Sequence, residues 1–335
     1  MMRKMVCRML GIACFSVLYF FMLKNVQDLS ACERSALLLL EHAPLRVQQV
    51  RKIREAEAAQ EAAIDFAAWQ QQNEKIVQNP ELQRIHTVSA ISVCGRSDIV
   101  LRASSWLDER DTIGCLIDER TALELFGSTN VQDMIVVIDG EEKTIRGILY
   151  DVEDTIVYEA AGTEELTNLT FVLGNGTTYG TLQQDFLQRH GISGKFVRMD
   201  MLKGAAGFVC LLVPVFVFCR FLIMIARIVW KHRKEKTGVL MAAAALGCFC
   251  LFACFLAGRI QLPADMIPTK WSDFSFWADW WERQRESLLL LLLTEKQRPI
   301  QPYIADFYRI CVFLFPTCIF MADVVIIPKE LNQML

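Results

Sequence analysis

Apolar positions along this chain are of two kinds: long uninterrupted runs, and short stretches that alternate with polar residues. The first long run, Met5 to Leu23, follows Arg3 and Lys4, with Arg8 one turn in. Its length of about 19 residues is enough to cross a bilayer. It reads as an uncleaved anchor; a secretory signal peptide is the alternative. No small-x-small cleavage site follows, since Leu23-Lys24-Asn25-Val26 comes next. Further runs begin near Ala205 and Val239 and, last, at Ile310, where Pro316 and Asp323 interrupt the pattern.

Between the first two runs the pattern is that of a globular domain. A stretch rich in Ala, Glu, Gln and Arg, from about Glu33 to Gln78 and broken at Pro44, predicts helix. Strand patterns follow at Ile85–Val93, Ile99–Ala103 and Gly114–Ile117. Asp118 as N-cap and Gly127 as stop bound a short helix with apolar face Ala122, Leu123 and Phe126. Met134–Ile138 and Thr144–Tyr150 flank Asp139-Gly140-Glu141-Glu142, a strong hairpin signal. Strands at Thr155–Tyr158 and Asn168–Leu173, a helix from Gly180 to Arg189 and a strand at Phe196–Met199 complete the domain.

The expected fold class is therefore a membrane protein, with four transmembrane α-helices and an α+β extracytoplasmic domain inserted between the first and second. The segments are helix 1 over 1–23, the domain over 24–203, helix 2 over 204–226 and a basic loop over 227–238. Helix 3 covers 239–258, a Trp-rich outer loop 259–309, helix 4 310–327 and a tail 328–335. Arg227, Lys231, Arg233, Lys234 and Lys236 place the short loop in the cytoplasm by the positive-inside rule. The outer loop carries Arg259, Lys270, Arg283, Arg285, Lys296 and Arg298, nearly as many cations. The length of the domain favours this orientation, because long domains cross regardless of charge.

Composition agrees: 53% of residues are hydrophobic, and the formal charge of -3 offers no basic field for nucleic acid. Most of the twelve cysteines lie inside apolar runs, where they act as small hydrophobes. Cys94 and Cys115 lie near strand edges in a compartment that permits disulfides. Two readings stand for them, a bridge or two buried thiols.

The segment Gly114-Cys-Leu-Ile-Asp-Glu-Arg-Thr-Ala-Leu-Glu-Leu-Phe-Gly127, continuing to Val136-Val-Ile-Asp-Gly-Glu-Glu-Lys-Thr-Ile-Arg-Gly-Ile-Leu149, resembles the extracytoplasmic core domain of MacB/FtsX-type ABC transporter permeases. In that family a strand leads into a helix ending Leu-Phe-Gly, then a hairpin, then a Val/Ile-x-Gly-Val/Ile-Leu strand. The order of spans matches as well. The resemblance implies a mechanical subunit in a bacterial cell membrane, driven by a separate cytoplasmic ABC ATPase that alone binds ATP. It also implies a homo- or heterodimer of permeases acting on peptide, lipid or cell-envelope cargo. Arg227–Lys236 is then the candidate ATPase-facing loop, with a pure topology signal as the other reading. Where the family carries a Glu-Ile-Gly-like segment, this chain has Lys231-His-Arg-Lys-Glu-Lys-Thr-Gly238 and Ala242-Ala-Ala-Ala-Leu-Gly247. That departure keeps open a membrane-anchored sensor or adaptor without ATPase coupling.

Catalytic patterns are missing from the sequence. Gly191-Ile-Ser-Gly194-Lys195-Phe196 lacks the spacer and the Ser/Thr of a phosphate-binding loop. His42, His86, His190 and His232 have no metal-ligand spacing, and no Gly-x-Ser-x-Gly elbow occurs. No enzyme activity, cofactor or metal is expected. Arg220 and Asp323 are the intramembrane charges, at similar depth, and either pair or snorkel separately to the inner interface. Trp271, Phe274, Phe276, Trp277, Trp280 and Trp281 before Leu288–Leu293 predict an amphipathic helix among lipid headgroups. Asn168-Leu-Thr170 and Asn175-Gly-Thr177 match glycosylation sequons, although turns explain them equally well.

Overall fold

The computed structural model describes residues 2–41, 43–61, 63–101, 105–174, 177–231, 243–244, 246–251, 254, 275–293 and 297–325. Contacts divide the chain into two compact units. One comprises Met1–Gln27, Gly204–Glu286 and Phe307–Leu335; the other comprises Asp28–Lys203 and Ser287–Asp306.

Among the described residues the helices longer than two turns are α1 (Met2–Asp28), α2 (Val47–Ala58), α3 (Glu119–Phe126), α4 (Asp200–Lys231), α5 (Ser275–Leu293) and α6 (Gln301–Val325). Among the described residues three stretches are long and apolar enough to cross a membrane: Met9–Cys32, Asp200–Arg227 and Gln301–Ile319. They match the first, second and fourth expected spans. The expected third span has helical backbone at 243–244, 246–251 and 254, and otherwise lies outside the described residues. Phe20, Phe208 and Phe315 are each more than 60% exposed. Apolar rings on the outside of a helix suit hydrocarbon and not water. Inside this unit Phe21 packs on Phe313 at 6.5 Å between centroids, and the Thr317 hydroxyl lies 3.7 Å from Met22 Sδ.

The second unit is built on eleven strands. They are β1 (Ser35–Leu40), β2 (Leu45–Arg46), β3 (Phe66–Asn79), β4 (Arg84–Cys94), β5 (Gly114–Asp118) and β6 (Ile135–Ile138), followed by β7 (Glu141–Leu149), β8 (Thr155–Glu159), β9 (Glu165–Leu166), β10 (Asn168–Val172) and β11 (Gly194–Val197). Nine form one sheet in the order β11-β1-β10-β3-β4-β8-β5-β7-β6, and β6 returns to pair with β3. The run from β3 to β6 thus closes on itself as a barrel, while β11, β1 and β10 extend from β3 as an open wing. Each half has its own core. Val77, Val88, Cys115, Ile117, Leu125, Val136, Ile145 and Ile156 fill the barrel under α3. Leu38, Val47, Val50, Phe66, Leu169, Phe171 and Phe186 fill the wing, where α2 and the helical segment 179–190 contribute.

Several expectations hold. The Asp118 carboxylate accepts from the amides of Arg120 and Thr121 at 3.0 and 3.2 Å, capping α3. Gly127 ends it at φ 73, the left-handed conformation that glycine adopts without penalty. The β6–β7 hairpin forms as well, with a tighter turn than expected: Ile138 pairs with Glu141, and Asp139 and Gly140 take φ of 50 and 84.

Other expectations are corrected. Of the helix expected over Glu33–Gln78, only α2 forms. Ser35–Leu40 is a strand because it pairs on both sides, with β10 and β11. Phe66–Asn79 is a strand because β10 and β4 flank it. Ile99 and Val100, expected to begin a strand, belong to a single helical turn, Ser97–Val100, while the rest of that expected strand beyond Leu101 lies outside the described residues. On α3 the inward residue is Leu125 at 0% exposure, whereas Leu123 is 47% exposed. Asn168 is buried within β10 and its side-chain oxygen accepts from Gln297 Nε2 at 3.3 Å, so its sequon is a strand interior. Asn175 and Gly176 lie outside the described residues.

Candidate functional site

Strands β3 and β4 run antiparallel, with one break in register. Gln72 faces Ala90, yet Lys75 faces Val88, so β3 holds one residue more than its partner. This is a β-bulge, a feature that re-aims side chains and recurs beside binding sites. Glu74 within it has φ 59, an uncommon conformation for a residue with a Cβ.

The bulge gathers a polar network. Gln71 Nε2 donates to Asn73 Oδ1 at 2.7 Å, and the Ser89 hydroxyl donates to the same oxygen at 3.1 Å. Arg298, from the segment that leads into α6, completes it. Its backbone amide donates to Gln71 Oε1 at 2.7 Å, its Nε to Ser89 Oγ at 3.2 Å, and one Nη to Gln301 Oε1 at 3.1 Å. One residue earlier Gln297 donates to Asn168 on β10. Four hydrogen bonds therefore tie residues 297–298 to three neighbouring strands, β10, β3 and β4, or to the first residue of α6.

A cleft of about 520 Å³ opens over this network, bordered also by Glu74, Thr87, Val88 and Asp154. Asp154 is fixed from behind. His86 Nε2 lies 2.8 Å from one of its oxygens, Arg120 donates to the other at 3.2 Å, and its carbonyl accepts from the Ser89 amide at 2.7 Å. Glu74 and the Thr87 hydroxyl make no hydrogen bond or ion pair among the described residues. The arrangement suits recognition and not acyl transfer. The Ser89 hydroxyl is engaged by Asn73 and Arg298, and His86 by Asp154, so no nucleophile–base pair forms. No cluster of three or more His, Cys, Asp or Glu suited to a metal occurs among the described residues.

A second charged cluster holds α2 to the sheet. Glu159, at the end of β8, is 6% exposed. Among the described residues it forms an ion pair with Arg51, at 3.7 Å and itself half exposed. Arg54 is occupied by a bidentate bond to Glu109, at 2.6 and 2.8 Å. Burial pushes the Glu159 carboxyl up to about 8.

The structure separates the two cysteines singled out from sequence. Both thiols are free and buried. Cys94 belongs to the wing core and Cys115 to the barrel core. Strand β8 runs between β4 and β5, which puts the two roughly 9–10 Å apart across the sheet. A disulfide needs Cα atoms within about 7 Å. The bridge is not formed, and burial raises the thiols to about 11 and 12.

Of the two charges expected within the membrane, Arg220 lies half-buried on α4. Asp323 falls in α6, with its side chain outside the described residues. Arg227 is exposed near the end of α4 and Lys231 is its last residue; Arg233, Lys234 and Lys236 lie outside the described residues. Trp277 and Trp281 are on α5, 43% and 65% exposed; Trp271 and Phe274 are outside the described residues.

No family model matches the chain, and no curated protein matches it in sequence. Among solved structures it is similar to the periplasmic region of MacB from Actinobacillus actinomycetemcomitans, at 11% identity and a TM-score of 0.41 over 51% of this chain and 92% of that one. It is also similar to the extracellular domain of the ABC-type transporter YknZ from Gram-positive bacteria, at 11% identity and a TM-score of 0.36 over 48% of this chain and 97% of that one. Scores of this size leave the function open.

Proposed function

We propose that the chain is the permease-like membrane subunit of a MacB/FtsX-type ABC transporter, a multi-pass protein of the cell membrane with its large domain outside. In this reading a separate cytoplasmic ATPase, reached through the Arg227–Lys236 loop, moves the helices of a permease dimer. The outer domain delivers that motion to a peptide, lipid or cell-envelope cargo. The motif resemblance over 114–149 supports this, because the segment folds as one piece: β5, the capped helix α3, and the β6–β7 hairpin whose second strand lies parallel to β5.

The observation that carries the proposal is the anchorage of residues 297–301. Arg298, three residues before α6, is bonded through its backbone to Gln71 beside the β3 bulge and through its side chain to Ser89 on β4. In this reading that anchorage passes force from α6 to the sheet. A subunit that only needed an anchor would gain nothing from such a joint.

The test is extraction of the full chain in mild detergent. An ABC ATPase is expected to co-purify, with ATP hydrolysis that rises in the complex. Arg298→Ala leaves the complex assembled and uncouples hydrolysis from movement of the outer domain, followed by a spin-label pair on β1 and β7. Recovery of a different soluble partner and no ATPase overturns the proposal in favour of the sensor or adaptor. The 231–247 segment, with no Glu-Ile-Gly-like sequence, favours that second reading.

A further inference from the structure

We propose that the cleft over the β3 bulge is a binding site for a small polar zwitterion of the amino-acid type, and that its occupant regulates the Arg298 joint. The wall chemistry selects the class. Of the bordering side chains only Val88 is apolar, and the rest are amides, hydroxyls, two carboxylates and one guanidinium. An acyl chain would leave those polar groups desolvated and unpaired, so a lipid tail is excluded. The volume, about 520 Å³, falls inside the range of ligand clefts, roughly 300–1,000 Å³.

Opposite charges flank one residue, Ser89. On one side its hydroxyl receives Arg298 Nε, and the guanidinium spends one Nη on Gln301, leaving the other for a carboxylate. On the other side the same hydroxyl donates to Asn73, next to Glu74, while the Ser89 amide holds Asp154 in place. Asp154 is already paired with Arg120 and hydrogen-bonded to His86. Glu74 has no partner among the described residues, and its bulge position brings it to the cleft border against the left-handed preference of glycine. A ligand that offers an ammonium to Glu74 and a carboxylate to Arg298 satisfies both free charges at once. The Thr87 hydroxyl then meets a polar side chain. Such an occupant bridges strand β3 to the 297–301 segment and stiffens the connection between them.

The site lies within one unit and needs no ATPase, which separates its fate from that of the transporter reading. The experiment is isothermal titration of the full chain in detergent with L-glutamine, N-acetyl-L-glutamine and L-glutaminamide. L-Glutamine is expected to bind saturably, and blocking either its amine or its carboxylate weakens binding by about 10- to 100-fold, the worth of one charge-assisted bond. Glu74→Gln loses a similar factor for L-glutamine and no longer distinguishes it from the acetylated form. Glu74→Gly loses the same binding while keeping or raising the melting temperature, because glycine accepts φ 59 freely. Equal binding of all three compounds, no saturation by about 1 mM, or unchanged affinity in both Glu74 variants overturns the proposal. If the titration fails while an ABC ATPase co-purifies, only this inference falls. If it succeeds while no ATPase is found, the site stands and the transporter reading falls.

Discussion

Glu159 offers the sharpest physical test of the domain. Replacing it with glutamine removes the ionisable proton and keeps the shape of the side chain. The carboxyl ordinarily titrates near 4.5 and here is pushed up to about 8 by burial. The charge of Arg51 is the strongest opposing influence but does not offset it, Glu109 adds to the rise, and Arg54 helps less than either. The geometry explains why that help falls short. Arg51 stands off at 3.7 Å, beyond hydrogen-bond reach, and Arg54 is committed to Glu109. As pH rises from 4.5, the unfolded chain gives up this proton while the folded chain keeps it. The unfolded state then binds fewer protons, so stability falls with pH at about 1.4 kcal/mol per unit until the folded group also ionises. At pH 7 the accumulated cost is about 3 kcal/mol, and above pH 8 it levels off. Glu159→Gln should match the wild type at pH 4, exceed it by roughly 2–3 kcal/mol at pH 7, and lead by about 1 kcal/mol more at pH 9. Guanidinium midpoints of the full chain in detergent, followed by near-ultraviolet circular dichroism at each pH, give the comparison. Parallel curves for the two proteins from pH 4 to 9, or a variant less stable at pH 8, would refute the reasoning.

Other expectations follow from the same packing. Asp118 is fully buried and accepts from the amides of Arg120, Thr121 and Thr155 and from the Thr121 hydroxyl, so Asp118→Ala strands four donors and should cost about 2–4 kcal/mol in the same unfolding assay. Gly127→Ala keeps the cap but forces a Cβ into φ 73, and should cost about 1 kcal/mol. Cys94 and Cys115 should resist iodoacetamide in the folded protein and react fully once it is unfolded, without prior reduction, as read by peptide mass. A peptide mass carrying a Cys94–Cys115 disulfide is not among the expected products; protection of either cysteine in the unfolded, unreduced chain would contradict the separation of the two strands.

Much of the unit containing the barrel is legible from local signals. Asp118 and Gly127 mark both ends of α3, and Asp139-Gly140 marks the hairpin, because caps and turns are decided by a few adjacent residues. The failures share a cause. Ala67-Ala68-Trp69-Gln70-Gln71-Gln72 is composed largely of helix formers, yet it is a strand, since its two neighbours satisfy its backbone and Trp69 is wholly buried with its indole N–H on Thr170 at 2.9 Å. Tertiary pairing outweighs propensities of a few tenths of a kcal/mol per residue. The four leucines Leu37–Leu40 fit helix or strand equally until β10 and β11 are placed beside them.

The cleft was not legible at all, and its composition shows why. Gln71 and Arg298 are 227 positions apart, and Ser89 and Arg298 are 209 apart. In the sequence Arg298 counts only as one cation of an outer loop, and Glu74 as one more polar residue of an expected helix. What makes either one distinctive is the extra residue in β3, which changes register between Gln72 and Lys75. A bulge is a relation between two strands, so no reading of β3 alone reveals it. The one local clue is negative: the polar run Gln70–Lys75 follows the buried Phe66–Trp69 in mid-strand and spans the point where regular pairing breaks. A polar run beside the buried half of a strand thus marks a place where a distant segment, here 297–301, comes in to satisfy it.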